Sequence, residues 1–257
     1  MNTHEPAPIG RATMSPAMAD MQAYPAYLLD KVRPAIGTRV IELGIGNGHN
    51  VMDLLNRGCH VLATDIDPDC LRDLVSNVNK SMHHAKDRLA TAIIDLNEPT
   101  SLDALRSFRA DSILTFNVLE HIANDGLALR ALSKVVESQA RIGIVVPAIP
   151  ALYGRMDAEA GHFRRYTRKK LMQVLEQSGW KVESCCYINA IGAVGWWFHN
   201  RLRKSAGLQD PHVNQQMRAA DGWLPRISRW TDPWLAKRFG LSVAAIATVG
   251  TSAQTEN

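Results

Sequence analysis

The chain has 257 residues, 46% of them hydrophobic and 21% charged, with a formal net charge of +4. Such values describe an ordinary globular protein of one large or two small domains, and a charge this modest implies neither a nucleic-acid nor a membrane partner. No apolar run approaches the roughly 18–20 residues that span a bilayer, no charged-then-apolar leader opens the chain, and Cys59, Cys70, Cys185 and Cys186 contain no Cys-x-x-Cys pair. A disulfide scaffold and a zinc site are therefore not expected; a reduced, cytoplasmic protein is.

Residues 1–15 are polar and read as a mobile tail. The spacing of Met18, Met21, Tyr24, Leu28, Leu29 and Val32 predicts an amphipathic helix from Pro16 to Arg33, stopped by Pro34 and Gly37. A strand at Arg39–Leu43 enters a turn with three alternating glycines, Gly44, Gly46 and Gly48, and a helix carrying Val51, Leu54 and Leu55 follows. Cys59–Asp65 is a second strand, and Asp67-Pro68-Asp69 opens the next helix. A third strand runs from Leu89 to Ile94 and ends at Asp95; a short helical link covers Leu102–Phe108. Ala110–Phe116 is the fourth strand, with Asn117-Val118-Leu119-Glu120-His121 behind it. A helix from about Gly126 to Glu137 leads to the fifth strand, Arg141–Val146.

Such alternation argues an α/β fold with a parallel sheet, whose ligands bind at the carboxyl ends of the strands. Glu42, Asp65, Asp95 and Asn117 end four different strands and should meet on one rim. Beyond Pro147 the pattern is less regular. A polar loop occupies residues 148–166; Thr167 caps a helix through Gln177; Lys181–Ile188 is a sixth strand; and Ile191–Lys204 is helical and aromatic. A loop spans Ala206–His212, Gln215–Phe239 is mixed helix and turn, and Leu241–Val249 is a last strand. This predicts one domain over residues 16–250, with lid elements at about 148–166 and 190–239 and a tail at 251–257.

The glycine turn does not follow the dinucleotide pattern Gly-x-Gly-x-x-Gly, because the position of its third glycine holds His49. Glu42, two residues before Gly44, would repel a pyrophosphate and suits a ligand with a positive group. The stretch Glu42-Leu43-Gly44-Ile45-Gly46-Asn47-Gly48 resembles the first motif of class I S-adenosylmethionine-dependent methyltransferases. Val61–Asp67 resembles the second motif, Asp95-Leu96 the position beside the adenine amine, and Asn117–His121 the run after the fourth strand. The resemblance implies a doubly wound, Rossmann-like sheet of seven strands, the last antiparallel, with a helical lid. It implies that Asp65 holds the ribose hydroxyls and Ile66 the adenine face, that the backbone near Asn117 and Val118 supports the methionine end, and that Glu42 serves the amino-acid end through water. Gly44 and Gly46 shape the turn, and Tyr24 with Tyr27 would close over the cofactor. Pro147–Tyr166, together with the later Gly-x-x-Gly-Trp-Trp segment, is similar to a bacterial subgroup with no single known acceptor.

Methyl transfer from a sulfonium to a small molecule is thus the first reading, with S-adenosylhomocysteine as product. Transfer or cyclisation of the aminocarboxypropyl group is the second, and a non-catalytic S-adenosylmethionine-binding protein the third. Nucleic acid is not an expected partner, because no Asn-Pro-Pro-Tyr run follows the fourth strand and no separate basic domain is present. Candidate catalytic groups are His121, His162, Tyr153 and Tyr166, set against the blander reading of His121 as a helix-start residue bonded to backbone. Arg164 and Arg165 could pair with an anionic acceptor or brace Asp157 and Glu159. From Arg155 to Lys204 there are ten Lys/Arg against four Asp/Glu. Asn189 and Trp196 are candidates for an apolar acceptor pocket. The run Ile188–Phe198 reads equally as a buried lid helix or a homodimer surface; shallow membrane contact beside Arg201, Arg203 and Lys204 is not expected. No metal ligands are assigned.

Overall fold

Short apolar runs, most of them closed by an acid or an amide, form the strands in the computed structural model, which describes residues 10–202 and 207–250. The first half contains α1 (Ala23–Lys31), β1 (Arg39–Leu43), α2 (His49–Asn56), β2 (His60–Asp65), α3 (Pro68–Ser81), β3 (Leu89–Ile93), β4 (Ser112–Phe116) and α4 (Asp125–Val135). The second contains β5 (Arg141–Pro147), α5 (Arg155–Glu159), α6 (Arg168–Gln177), β6 (Trp180–Ile188), α7 (Ala190–Leu202), α8 (Pro211–Asp221), α9 (Leu224–Leu235) and β7 (Ser242–Val249). The strands make one sheet in the order β3-β2-β1-β4-β5-β7-β6. β7 is antiparallel to both neighbours, and the other pairings are parallel.

Both faces of the central strands are covered, which explains why they read as nearly continuous apolar runs. Ile41, Leu43, Ile113 and Ile144 pack with Leu129 and Leu132 of α4 and Leu171 and Leu175 of α6. Val40, Val61, Leu114 and Val145 pack on the other face with Leu28 and Leu29 of α1, Leu54 and Leu55 of α2, and Leu74 of α3. Trp180 is buried, with its indole N–H donating to the Leu129 carbonyl at 2.8 Å, and this ties β6 to α4. β1 and β4 are neighbours whose crossovers leave in opposite directions, so a crevice opens above their carboxyl ends.

Several elements differ from the sequence reading. The helix expected over Pro16–Arg33 is broken: a 3-10 turn at Pro16–Ala19 precedes α1, and Asp221 caps α1 from a distance by accepting from the backbone N–H groups of Gln22, Ala23 and Tyr24. The last third of the expected tail forms a 3-10 turn at Gly10–Thr13, where the Arg11 backbone N–H donates to Asp67 at 3.1 Å. The loop and mixed region after residue 206 contain two helices. Asp210 caps α8 through the N–H groups of His212 and Val213, and Pro211 and Pro225 fall in first turns, where a missing N–H costs nothing. Pro233 lies inside α9, the signal that hid this helix. The remaining tail residues, Arg203 and Lys204 lie outside the described residues, as does the Arg201 side chain. Among the described residues no helix is long and apolar enough to cross a membrane.

Candidate active site

The crevice above β1 and β4 is the floor of a cavity of about 1190 Å3. Pockets that bury one drug-sized ligand span about 300–1,000 Å3, so the space suits two ligands side by side. Glu42, Gly44, Gly46, Asp65, Ile66, Asp95, Leu96, Asn117 and Val118 line one end. Glu120, His121, His162, Arg165, Asn189 and Trp196 line the rest, beneath Met14, Met18 and Met21.

At the first end the backbone folds tightly. Gly44 and Ile45 donate to the Thr64 carbonyl at 2.8 and 3.1 Å, and Gly46 donates to Asp65 Oδ2 at 3.0 Å. Gly44 has a φ of +68°, and a Cβ there would meet Val118 Cγ2, so glycine is required on both counts. Asp65 Oδ1 accepts from the Asp67 N–H at 2.9 Å. Each Asp65 oxygen thus holds one backbone donor and keeps a lone pair for a ligand hydroxyl. Burial raises the Asp65 pKa above its ordinary value, opposed by the Asp67 and Gly46 amides. Glu42, wholly enclosed, is pushed up to about 8 by burial, although Asn50 Nδ2 donates to its Oε1 at 3.2 Å. Its Oε2 is buried with no hydrogen-bond partner among the described residues. An orphaned carboxylate oxygen facing a cavity fits a cationic ligand group.

The other end has a polar corner. Glu120 is buried and pushed up to about 7 by that burial, with the charges of His162 and Arg165 acting the other way. His121 is pushed down to about 4, first by burial and then by His162, with the nearby Gly161 and Ala160 backbone acting the other way. His162 Nδ1 lies 2.9 Å from Asp157 Oδ1, and Arg165 Nε donates to the same oxygen at 2.8 Å. Burial opposes the ionisation of Asp157, but these two partners outweigh it and hold its pKa below the usual carboxylate value.

A sequence model of the methyltransferase domain family matches residues 17–185, about two thirds of the chain. The chain belongs to that family. S-adenosylmethionine is the donor this methyltransferase uses. Similar solved structures include geranyl diphosphate C-methyltransferase from Streptomyces coelicolor A3(2), in complex with Mg2+, geranyl diphosphate and S-adenosyl-L-homocysteine; its TM-score is 0.61, with 8% identity over 95% of this chain and 88% of that one. Haemonchus contortus phosphoethanolamine N-methyltransferase 2, in complex with S-adenosyl-L-methionine, gives 0.57 at 12% identity, over 88% of this chain and 53% of that one. The [4+2]-cyclase SpnF gives 0.57 at 11%, over 89% and 80%. At these identities the likeness is one of fold. No curated protein matches the methyltransferase.

Some residues singled out from the sequence do not reach the methyltransferase's cavity. Tyr166 is fully buried and donates to Asp125 at 2.7 Å, and burial raises its pKa. Tyr153 points outward and donates to the His162 carbonyl at 2.7 Å. Arg164 donates to the Ile122 and Ala123 carbonyls, both at 2.8 Å, and pairs with Asp125, so it braces the chain after β4. Tyr27 is buried below the cavity, where it donates to Asp232 and accepts from the Asn189 N–H. Arg165 and Asn189 line the cavity with their polar groups engaged: Arg165 by Asp157 and the face of Trp196, Asn189 by Gly192, Ser228 and Tyr24. Tyr24 also lines the cavity. Trp196 is half-buried, whereas Trp197 and Phe198 are exposed, so the lid helix is not buried throughout. Sequence reading missed Glu120 and the three methionines. Glu120 stood inside a quoted motif, beside a candidate histidine; the methionines lay in a segment taken for a tail and a helix face.

Proposed function

We propose that the methyltransferase acts on a small, largely apolar molecule that carries a nucleophilic oxygen or nitrogen. Asp65 would hold the ribose hydroxyls of S-adenosylmethionine, Ile66, Asp95 and Leu96 its adenine, and Glu42 with the turn at Gly44–Gly46 its amino-acid end. When bound, this donor supplies an electrophilic methyl group whose leaving group is already good, so the protein's contribution is chiefly orientation and exclusion of water. The acceptor would lie under Met14, Met18, Met21 and Trp196, with its reacting atom toward Glu120, His121 and His162. An anionic acceptor is disfavoured, because Arg164 and Arg165 are committed to protein partners.

The observation that carries this reading is one continuous cavity with a cation-seeking acid at one end and a polar corner in apolar walls at the other. Calorimetric titration with S-adenosylhomocysteine tests the donor half; absence of binding at high micromolar ligand contradicts it. Incubation with S-adenosylmethionine and acceptor candidates tests the reaction: S-adenosylhomocysteine should accumulate, and methylthioadenosine in its place would contradict methyl transfer.

A further inference from the structure

Glu120 sits in the 3-10 turn Leu119–His121, and both its carboxylate oxygens are buried without a hydrogen-bond partner among the described residues. Burying a carboxylate with no hydrogen bond to either oxygen is unfavourable, so the site calls for a cation in direct contact. Two imidazoles face it. His162 Nε2 is 3.9 Å from Glu120 Oε1, and the His121 and His162 rings meet edge-on with centroids 4.6 Å apart. One donor atom from each of the three residues lies within 4.8 Å of the other two.

The groups behind these atoms are those that fix metal ligands. With Asp157 Oδ1 accepting from His162 Nδ1–H, the Nε2 lone pair is left toward Glu120. Asp157 is itself held by Arg165 Nε at 2.8 Å and by the Gly154 N–H at 2.9 Å. We propose that Glu120, His121 and His162 bind one divalent first-row transition ion, such as Zn2+, Mn2+, Fe2+ or Co2+, at the acceptor end of the cavity.

Two imidazoles and one carboxylate are a donor set such ions accept, and three protein ligands leave positions open. Bonds of about 2.1 Å would hold the donors about 3.0–3.4 Å apart, so the side chains must close by roughly 1 Å through small rotations. The open positions face the cavity and would take water or an oxygen of the acceptor. This last step rests on the function proposed above; the ion site rests on the cluster alone.

Titration of the full-length, chelator-treated protein with Co2+, read by visible ligand-field absorption and calorimetry, tests the site. One ion per chain is expected, displaced by Zn2+. Glu120→Gln and His162→Gln should each weaken binding at least tenfold, and Asp157→Asn, which acts through His162, by about 10–100-fold. S-adenosylhomocysteine titrated into the same samples reports the fold and the donor end; its affinity should stay within about twofold of wild type. Loss of S-adenosylhomocysteine binding with Co2+ binding intact would count against the methyltransferase reading and leave the ion site standing. Failure of the wild-type protein to bind Co2+, Zn2+ or Mn2+ at millimolar concentration would overturn the proposal, leaving Glu120 and His162 to share a proton. Equal binding by folded Glu120→Gln would also overturn it. If Glu120→Gln does not fold, the wild-type spectrum and the Asp157→Asn affinity decide.

Discussion

Asp65 and Glu42 are both buried acids, and they differ in what they lack. Asp65 is already bonded by two amides, so ligand hydroxyls would add to a satisfied carboxylate. Asp65→Ala should weaken S-adenosylhomocysteine binding by about 1.5–3 kcal/mol, the range for hydrogen bonds to a charged group; unchanged affinity would refute the ribose assignment. Glu42 instead waits for a charge. With its pKa pushed up to about 8 by burial, it is largely protonated at pH 6 in the free protein. A bound ammonium favours the ionised form, so binding should release close to one proton near pH 6.5. Affinity should rise between pH 6 and pH 8 and then level, and calorimetry in buffers of different ionisation enthalpy measures both effects. Glu42→Gln should abolish the proton release. The same shift acts on stability with the opposite sense. Between the ordinary carboxyl value and about 8 the folded state keeps a proton that the unfolded chain has lost, so Glu42 makes the free protein less stable as pH rises through that window.

At the scale of elements, the walls of the cavity come from segments far apart in the chain. Asp221 at the end of α8 caps α1 by accepting from three backbone N–H groups at 2.7 to 3.0 Å. Asn214 grips the turn before α1, accepting from the Ala17 N–H at 2.9 Å. Asp221→Ala should cost about 0.5–2 kcal/mol, the range for a lost helix cap, and should speed amide exchange over residues 22–24 before it affects β1. No local pattern reveals such a cap, because the acid lies almost 200 residues from the helix it serves. That is why the sequence predicted one helix over Pro16–Arg33. The regular elements were legible for the opposite reason: Thr167 caps α6 three residues from its partner Lys170, and Asp67 caps α3 two residues from its partner Asp69. α9 was obscured by Pro225 and Pro233, although its buried positions Pro225, Ser228 and Asp232 are spaced as one helix face.

Across the whole molecule, the sheet was readable because β1, β2, β4 and β5 are apolar runs buried on both faces, and β1 to β4 each hand over to the rim at or beside an acid or an amide. Glu42, Asp65, Asp95 and Asn117 consequently line one cavity. The acceptor end was less legible, since the 3-10 turn after β4, the loop before α6 and the N-terminal segment meet only in three dimensions. Tyr153, Tyr166 and Arg164 carry suitable chemistry, yet the fold spends them on internal bonds. A ligand held by so many separated segments should stabilise them together. At 100 times its Kd, S-adenosylhomocysteine should add about 2.7 kcal/mol, which for a chain of this size raises Tm by roughly 5–10 °C in a thermal melt; a smaller shift at saturation would mean that the unfolded chain binds it too.

A crystal structure of the complex with S-adenosylhomocysteine would show how the cavity is divided between donor and acceptor. The ribose hydroxyls should lie on Asp65 and the amino group at Glu42, with the sulfur facing the corner formed by Glu120, His121 and His162. A ligand seated elsewhere, or a sulfur turned away from that corner, would contradict this division.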